Sequence, residues 1–399
     1  MSLFDAAERF AAMDHSQVIL DAERCLHSQY QNSDCEACYS ICPVVAITPG
    51  KPPSLKVETC ESCLACLPAC PVNAYHADDA VASLLNCVTR LDTKAVELLC
   101  EMHSRPETGI ADSTGLRVRG CLAGLGNGTY LLLASLGVKK IISRTDACKA
   151  CSWSRLSKQI ERQVFLSSQF LAAWGEISSI SCTPSDGVMV ERPLWESTNP
   201  PLSRRDLFRM MARQGQIALA RATEEGHNGK DKKVGRDRLR TTNAVRNLTG
   251  ENAVPSTVCE NFEFASLKVS EACTACGACA NVCPTGALQF EITNTNRNFS
   301  LTFSATDCIG CDICESVCAP AAIAIDHQPT LKDVFGSVTP EVVQEGDLVR
   351  CTQCNILMAA RTGVKLCPLC AYRRKNPFGS KIPPGMKLPG LPVNRKSTS

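Results

Sequence analysis

The sequence predicts an α+β protein that consists of several small modules in series, and three observations support this prediction. Cysteine accounts for 27 of the 399 residues, and most of the cysteines stand at short, repeated spacings. Aromatic residues make up only 5% of the chain, so small modules would have thin cores and would depend on groups held by their cysteines. From residue 93 to about 156 the pattern changes to strands that alternate with a helix. We place two cysteine-rich modules at 1–88 and 256–330, a central α/β domain at 89–190, a basic helix and linker at 191–255, a cysteine knuckle at 345–375 and a basic tail at 376–399.

The first module contains two cysteine arrays, of which one is regular and the other is altered. The regular array follows the pattern Cys-x2-Cys-x2-Cys-x3-Cys-Pro and consists of Cys60, Cys63, Cys66 and Cys70. The altered array consists of Cys25, Cys35, Cys38 and Cys42. Nine residues separate its first two cysteines. Cys25 is therefore either a cluster ligand or the remnant of a degraded site. Strand signals at Val44–Thr48 and Leu55–Val57 fit a small antiparallel sheet.

The second module contains the same cysteine pattern twice without alteration. Its first array consists of Cys273, Cys276, Cys279 and Cys283. Its second array consists of Cys308, Cys311, Cys314 and Cys318. Two copies of this pattern resemble the bacterial ferredoxin that holds two [4Fe-4S] clusters. The resemblance implies that each cluster takes three cysteines of one array and the last cysteine of the other, so each array needs the other to fold.

Applied to both modules, the ferredoxin resemblance implies four [4Fe-4S] clusters. In the first module, the implied ligand sets are Cys25, Cys35, Cys38 and Cys70 for one cluster, and Cys60, Cys63, Cys66 and Cys42 for the other. In the second module, they are Cys273, Cys276, Cys279 and Cys318 for one cluster, and Cys308, Cys311, Cys314 and Cys283 for the other.

The central domain shows strand signals that each lead to a cysteine. The signals are Ala95–Leu99, Leu116–Val118 and Lys139–Ile142. The cysteines that follow them are Cys100, Cys121, Cys148 and Cys151. Open α/β sheets carry their sites at the carboxyl ends of the strands, so we expect these cysteines to lie together. The glycine-rich stretch Gly124–Gly128 lacks the lysine of a phosphate-binding loop, and we interpret it as the flexible start of a helix.

The same segment is similar to the iron-sulfur domain related to the delta subunit of methyl-viologen-reducing hydrogenase. The similarity rests on the strand that ends in Cys100, the turn Arg119–Leu122 and the loop Asp146–Cys151. It implies a further iron-sulfur cluster on the four cysteines and a role in passing electrons between a hydrogenase and heterodisulfide reductase. Two alternatives stay open, namely a redox-active thiol pair at Cys148 and Cys151, and inert structural thiols.

Charge is distributed unevenly along the chain. Eleven acidic and five basic residues lie between Met1 and Arg90, whereas twelve basic and five acidic residues lie between Ser203 and Arg246, and seven basic residues follow Cys370. Ser203–Asp206 opens an amphipathic helix similar to the leader of accessory ferredoxins of nitrate reductase. Residues 226–246 are typical of a hydrophilic, mobile linker. The basic segments are either solvated or dock onto an acidic surface, and nucleic acid is not an expected partner because no reading motif accompanies them.

The knuckle near the C-terminus combines two Cys-x2-Cys pairs separated by twelve residues. Its cysteines are Cys351, Cys354, Cys367 and Cys370. Two such pairs suit one tetrahedral metal ion, and the short loop between them favours a zinc ribbon. Rubredoxin-like iron is the alternative, because the second pair encloses Pro368 and Leu369, although the first pair has no proline. Zinc has no accessible redox change, so we expect this knuckle to be structural or to serve in docking.

The function predicted from these sites is electron transfer. Only Cys87, Cys182 and Cys259 lie outside a candidate site, and no catalytic triad and no flavin or nicotinamide fingerprint is present. We therefore expect an electron-transfer subunit of an oxidoreductase complex without its own substrate site. The resemblances imply hydrogenase-, heterodisulfide-reductase- or formate-dehydrogenase-like redox partners. The alternatives are a thiol/disulfide redox enzyme at the central domain fed by the ferredoxin modules, and a cluster-dependent assembly or sensing factor.

The compartment is predicted from the cysteines and the absence of targeting signals in the sequence. Residues after Met1 lack the charged start and apolar core of a signal peptide, so the cysteines indicate metal ligands in a reducing cytoplasm rather than disulfides. The longest apolar stretches, such as Leu131–Val138, are too short to cross a bilayer. We therefore expect a cytoplasmic protein without a transmembrane segment.

Overall fold

The computed structural model of the chain describes residues 17–175, 178–183, 189–198, 234–249, 254–258, 262–293, 297–337 and 339–376. The chain divides into two compact units, the first comprising 1–28 and 35–255 and the second 29–34 and 256–399. Residues 1–16, the helix expected from Ser203 onwards and the basic tail after residue 376 lie outside the described residues. Within the described ranges, no helix is both long and apolar enough to span a membrane.

The first module is built from very short elements that surround its cysteines. Strand β1 (Ile19–Leu20) pairs with β4 (Tyr75–His76), and β2 (Ile47–Thr48) pairs with β3 (Ser54–Leu55), all antiparallel. The helices of this module are α1 (Leu26–Gln29), α2 (Ala37–Ile41) and α3 (Cys66–Ala69). Strands of two residues bury little apolar surface, and five of the cysteines belong to the buried core. We therefore expect the stability of this module to depend on what its cysteines hold.

A five-stranded parallel sheet forms the centre of the first unit. Helix α4 (Val81–Leu91) leads into it, and the strand order is β11-β7-β5-β8-β9. The strands are β5 (Ala95–Cys100), β7 (Thr114–Val118), β8 (Lys140–Ser143), β9 (Ser179–Cys182) and β11 (Leu194–Glu196). A separate antiparallel pair is formed by β6 (Thr108–Ile110) and β10 (Met189–Glu191). Strands β5, β7 and β8 overlap the three strand signals of the sequence.

Two helices pack against this sheet, namely α5 (Gly126–Ser135) and α6 (Ser157–Trp174). The central strand β5 is buried on both faces, as the apolar run of a parallel sheet predicts. Helix α5 is apolar around its whole circumference, with Tyr130, Leu131 and Leu133 all fully buried. A helix of that kind must be covered on more than one side. The cover opposite the sheet comes from α7 (Arg236–Thr249).

Helix α7 corrects the expectation of a mobile linker up to residue 246. Arg236 and Arg240 both donate to the Asp79 carboxylate, at 2.9 and 2.6 Å. The Asp237 carboxylate accepts from the backbone N–H of Gly128 at 2.7 Å, at the start of α5. Added Cβ atoms at Gly126 and Gly128 would come within 2.2 and 2.5 Å of Asp237 atoms. The glycine-rich turn thus receives a carboxylate of this chain, and composition alone could not indicate these tertiary partners.

The buried carboxyl of Asp237 should make the stability of the first unit depend on pH. Burial raises the pKa of its carboxyl to about 6, although the N–H donors of Gly128 and Asn127 oppose this. Because the native pKa lies above the unfolded value, the stabilising contribution is complete below about pH 4 and is lost as the pH rises through about 6. As the pH rises from 5 to 8, we expect the urea concentration at the midpoint of unfolding to fall in the natural protein and to fall less in the Asp237→Asn variant. Urea unfolding at several pH values would measure this, and equal slopes would contradict it.

The second unit joins the second module to the knuckle through one sheet. Strand β12 (Ser266–Val269) pairs with β15 (Ile323–Asp326), as expected for a two-array module. The larger sheet has the order β13-β14-β16-β17, with β13 (Leu288–Thr293), β14 (Asn298–Phe303), β16 (Glu341–Arg350) and β17 (Leu357–Ala359). The helices are α8 (Ala278–Val282), α9 (Ile313–Ser316), α10 (Leu331–Phe335) and α11 (Pro368–Lys375). Because β16 pairs with both β14 and β17, the knuckle continues the sheet of the module.

Candidate metal centres

The last cysteine of three of the four arrays has the same local geometry. In each case the backbone N–H four residues later donates to the sulfur at 3.2 Å, and the pairs are Ala46 with Cys42, Ala74 with Cys70 and Ala322 with Cys318. The residue three positions after each of these cysteines has a positive φ, as at Val45, Asn73 and Ala321. Such conformations cost energy for residues other than glycine. Their recurrence at equivalent positions indicates that the loop is shaped around the sulfur rather than by its own sequence.

The loops between the first three cysteines repeat a second feature. Positive φ angles occur two residues after the first cysteine and one residue after the second, at Ser62 and Leu64, at Ala275 and Gly277, and at Gly310 and Asp312. These turns direct successive backbone N–H groups to one side, as anion-binding loops do. The altered array departs from the pattern, because Glu36, directly after Cys35, has a φ of −116°. The nine-residue insertion therefore changes the loop as well as the spacing.

Despite the insertion, Cys25 lies beside the other cysteines of its implied set. Burial raises the pKa of Cys38, and the charges of Cys35 and Cys25 raise it further. Burial also raises the pKa of Cys70 to about 11, again with contributions from Cys35 and Cys38. Three cysteines of the altered array and the last cysteine of the regular array are thus close together. This is the crossed arrangement that the ferredoxin resemblance implies.

The other four cysteines of the first module also form a group. Burial raises the pKa of Cys63 to about 11, with further contributions from Cys42 and Cys60. Burial likewise raises the pKa of Cys66, to which the charges of Cys63, Cys60 and Cys42 add. Cys38, a member of the first group, contributes as well. The two groups of four are therefore neighbours inside one module.

In the second module a cavity brings one implied ligand set together. All four of its cysteines line this cavity, namely Cys273, Cys276, Cys279 and Cys318. Apolar side chains, including Phe290, Leu301 and Ile323, form the rest of the wall. A cavity with four thiols and few other polar groups suits a compact inorganic cluster.

The remaining cysteines of the second module form the complementary group. Burial raises the pKa of Cys314, with contributions from Cys308, Cys283 and Cys311. Cys311 is affected in the same way, and its pKa is raised to about 11. Cys279 of the neighbouring set also acts on Cys314, so the two groups lie side by side, as in the first module.

The central domain places its four cysteines around one cavity at the carboxyl edge of the sheet. The cavity is lined by Cys100, Cys121, Cys148 and Cys151. They lie at the ends of β5, β7 and β8 or just after them. Strand β5 lies between β7 and β8, so the chain adds β7 on one side of β5 and then crosses over to add β8 on the other side. Such a switch point is where open α/β sheets bind ligands. Burial raises the pKa of Cys148 to about 12, and it raises that of Cys121 as well.

Raised pKa values provide a test of whether these cavities fit iron-sulfur clusters. Buried thiols without a cation stay protonated, because burial disfavours the thiolate. A polynuclear iron core supplies the positive charge that would stabilise four thiolates in such a place. Among the described residues, only the knuckle cysteines lie within 4.8 Å of one another, as a single ion would need. The other groups are more widely spaced, which suits a cluster.

Two features of the central site were not predicted from the sequence. Cys182 ends β9 at the same edge of the sheet, and its charge contributes to the raised pKa of Cys148. Beneath the cysteine loop, Glu97 accepts from Arg144 at 2.9 Å and from Arg192 at 3.0 Å, and all three side chains are buried. Arg144 also donates to the Asp146 carboxylate at 2.8 Å, which ties the loop to the sheet. The short strand that ends at Cys182 gave only a weak sequence signal, and the ionic network gave none.

The knuckle at the C-terminus can hold a single metal ion. Its four sulfur atoms all lie within 4.8 Å of one another, and those of Cys354 and Cys367 are 3.6 Å apart. Four sulfurs at 2.3 Å from a tetrahedral ion would be about 3.8 Å apart. Backbone N–H groups of Cys354 and Cys367 lower the pKa of Cys351 to about 6, although burial opposes this. The sulfur of Cys351 is therefore prepared to bind a cation, whereas burial raises the pKa of Cys367 and Cys370.

The knuckle also contacts the loop that carries the first cysteines of the second module. The N–H of Ala359 donates to the carbonyl of Thr274 at 3.1 Å. The Arg361 guanidinium donates to the carbonyl of Cys273 at 2.8 Å and also to that of Glu271. The hairpin of the knuckle thus covers one side of the candidate cluster site.

These contacts predict that Arg361 protects the neighbouring site. Arg361→Ala removes two hydrogen bonds to the loop around Cys273, each worth about 1 kcal/mol at most. We expect iron to be lost from the second module roughly fivefold faster in the presence of a chelator, because about 1 kcal/mol corresponds to that factor. The matched control is Arg350→Ala, since Arg350 is exposed in the same hairpin and, among the described residues, donates only to the carbonyl of Asn355 within the knuckle. Equal rates for the two variants would contradict the prediction.

One comparison with known proteins identifies part of the chain. Residues 272–322 match the family of 4Fe-4S dicluster domains, and the matched segment includes both arrays of the second module. Comparison of the chain with curated proteins finds no match. Residues 272–322 are therefore a 4Fe-4S dicluster domain, which supports an iron-sulfur electron-transfer role for the protein.

Proposed function

We propose that this protein is an electron-transfer subunit that relays single electrons between redox partners of a cytoplasmic oxidoreductase complex. Four [4Fe-4S] clusters would occupy the crossed cysteine sets of the two modules, and a further iron-sulfur cluster would occupy the central cavity. The observation that carries the proposal is the pairing of the cysteine groups. Its support is that each group draws on cysteines of both arrays, and that Cys38 acts on the pKa of Cys66, and Cys279 on that of Cys314, across the two groups of each module.

Iron-sulfur clusters accept and release one electron at a time without breaking a bond to the protein. The residues of this chain hold the ligands in place and limit access of water. Backbone N–H groups donate to Cys42, Cys70 and Cys318, and such hydrogen bonds stabilise the more negative, reduced state of a cluster. Apolar walls surround Cys273, Cys279 and Cys318, whereas Cys276 is exposed to solvent. Both features would set the reduction potential of each site.

The partners are proposed from the central domain. Its similarity to the domain related to the delta subunit of methyl-viologen-reducing hydrogenase suggests a hydrogenase-like or heterodisulfide-reductase-like partner, and the resemblances of the chain taken together also suggest one of the formate dehydrogenase type. The open parallel sheet and the placement of the four cysteines at its carboxyl edge are compatible with this similarity. At the knuckle we propose zinc, held by the four cysteines as a structural ion.

The competing function is thiol/disulfide exchange at Cys148 and Cys151. A reactive thiol needs a lowered pKa, because the thiolate is the nucleophile. Burial, with the charges of Cys100 and Cys151, instead raises the pKa of Cys148 to about 12. The environment of Cys148 therefore argues against a free thiolate nucleophile at this position.

Anoxic purification followed by EPR spectroscopy tests the proposed function. Reduction with dithionite should produce signals of reduced clusters, and these should disappear again when an oxidant is added. Iron and acid-labile sulfide should be present in nearly equal amounts, as [4Fe-4S] clusters require. A chain that contains the expected iron but gives no reversible signal would refute electron transfer.

A further inference from the structure

The first module and the central domain meet at a contact between two cysteine sites. The backbone N–H of Cys121, a central cysteine, donates to the carbonyl of Cys63, a cysteine of the first module, at 3.1 Å. Each of these cysteines belongs to a different candidate cluster site. A single hydrogen bond therefore connects the residues of two sites.

The two loops approach closely because glycine occupies the facing positions. A Cβ atom at Gly120 would lie 3.1 Å from the Cys63 carbonyl oxygen, and Gly120 has a positive φ of 67°. A Cβ atom at Gly124 would lie 3.0 Å from the Cβ of Leu64. Leu64 is itself almost fully buried and has a positive φ, which is uncommon for leucine. Both loops are therefore shaped for contact with one another.

A second hydrogen bond crosses the same boundary. The indole N–H of Trp153, two residues after Cys151, donates to the Glu61 carboxylate, which lies between the first two cysteines of the regular array. The Trp153 ring is buried and lines the central cavity. Two contacts from separate parts of the central domain thus hold the loop Cys60–Cys63 against the central site.

We propose that this contact, formed by Cys63 and Leu64 on one side and Gly120–Gly124 with Trp153 on the other, is the junction at which the first module exchanges electrons with the central domain. The inference rests on the proposed function and assigns an order to its sites. The group of Cys42, Cys60, Cys63 and Cys66 is the neighbour of the central site, and the group that contains Cys25 lies beyond it. One electron leaves one site and enters the other, and no bond forms or breaks. The glycines act as positioning residues that keep the two sites close.

Magnetic interaction between the two sites tests this junction without any activity assay. In fully reduced protein, the unpaired spin of the central site should split the EPR signal of the neighbouring site. The double variant Cys148→Ser/Cys151→Ser, which lacks the central site, should lose this splitting but keep the interaction between the two groups of the first module. That second interaction serves as an internal standard.

Two glycine variants test the role of the loops. Gly124→Ala places a methyl group against Leu64 and should weaken the splitting while the iron content stays unchanged. The control is Gly175→Ala, in which the glycine has a positive φ of 79°, but no atom of the described part of the chain beyond its sequence neighbours lies within 4 Å of the added Cβ. Trp153→Phe, which removes only the hydrogen bond to Glu61, provides a second variant if Gly124→Ala does not fold.

The outcomes separate the junction from the function on which it rests. Loss of the splitting in the double variant, and a weaker splitting in Gly124→Ala or Trp153→Phe but not in Gly175→Ala, would support the junction. Reversible cluster signals that are the same with and without the central site would overturn the junction and leave the proposed function intact. The absence of reduced cluster signals from the natural protein would overturn both.

Discussion

Replacement of Glu97 by alanine is expected to lower the free energy of unfolding of the first unit by about 3–5 kcal/mol. Glu97 is fully buried in β5 and accepts hydrogen bonds from Arg144, Arg192 and Ser113. Burial opposes its charge, but these hydrogen bonds outweigh burial and lower its pKa. Without the carboxylate, two guanidinium groups would remain buried without this counter-charge. Removal of one partner from a buried ionic group has a cost of this size.

Urea unfolding of anoxically purified protein measures this effect, and the chain contains a matched control. Glu196 pairs with Arg117 at 3.4 Å on the neighbouring strands, but both side chains are substantially exposed to solvent. Glu196→Ala should therefore change the stability by less than about 1 kcal/mol. Similar effects for Glu97→Ala and Glu196→Ala would show that the buried network does not stabilise the central sheet.

Replacement of Cys318 by serine is expected to remove a cluster from the opposite array. Cys318 lies in the second array, but it lines the cavity of Cys273, Cys276 and Cys279. The variant should lose about four irons per chain, all from that cavity, and it should keep the site of Cys308, Cys311 and Cys314. Iron analysis gives the loss, and EPR of the reduced protein shows which signal has gone.

A reciprocal variant and a control make the crossed assignment falsifiable. Cys283→Ser should remove the other signal of the second module, because its charge acts on Cys311 and Cys314. Cys87→Ser replaces a buried thiol in α4 outside the candidate sites and should leave the iron content unchanged. If Cys318→Ser abolished the signal of its own array instead, each array would bind its cluster locally and the crossed sets would be wrong.

Spacing indicated the cysteine arrays, because a metal cluster requires ligands at short, repeated intervals, and the ferredoxin resemblance supplied the crossed sets of four. The nine residues between Cys25 and Cys35 left one position open, and only tertiary structure brings Cys25 beside Cys38. The central strands were predictable where apolar runs are long, as in β5. The strand β9 was missed, because it has the sequence Ser-Ile-Ser-Cys and only Ile180 is buried. Because this strand was not predicted, Cys182, its last residue, was left outside the candidate sites.

Charged residues were the hardest to interpret from the sequence. Helix α7 is strongly hydrophilic, and its docking depends on Asp79 and on the N-terminus of α5, both of which are distant in sequence. Glu97 interrupts an apolar strand, but its arginine partners are 47 and 95 residues away. The role of β16 in joining the knuckle to the module is likewise a matter of strand pairing. Patterns of residue type do not encode such long-range partners.

The most direct test of the proposed relay is the number of electrons that one chain accepts. In a stepwise anaerobic titration with dithionite, four [4Fe-4S] clusters and one further cluster in the central domain should take up about five electrons per chain. The uptake should be reversible on reoxidation. A chain loaded with iron and sulfide that accepts fewer than about four electrons would contradict the account, because its modules would not carry four working clusters.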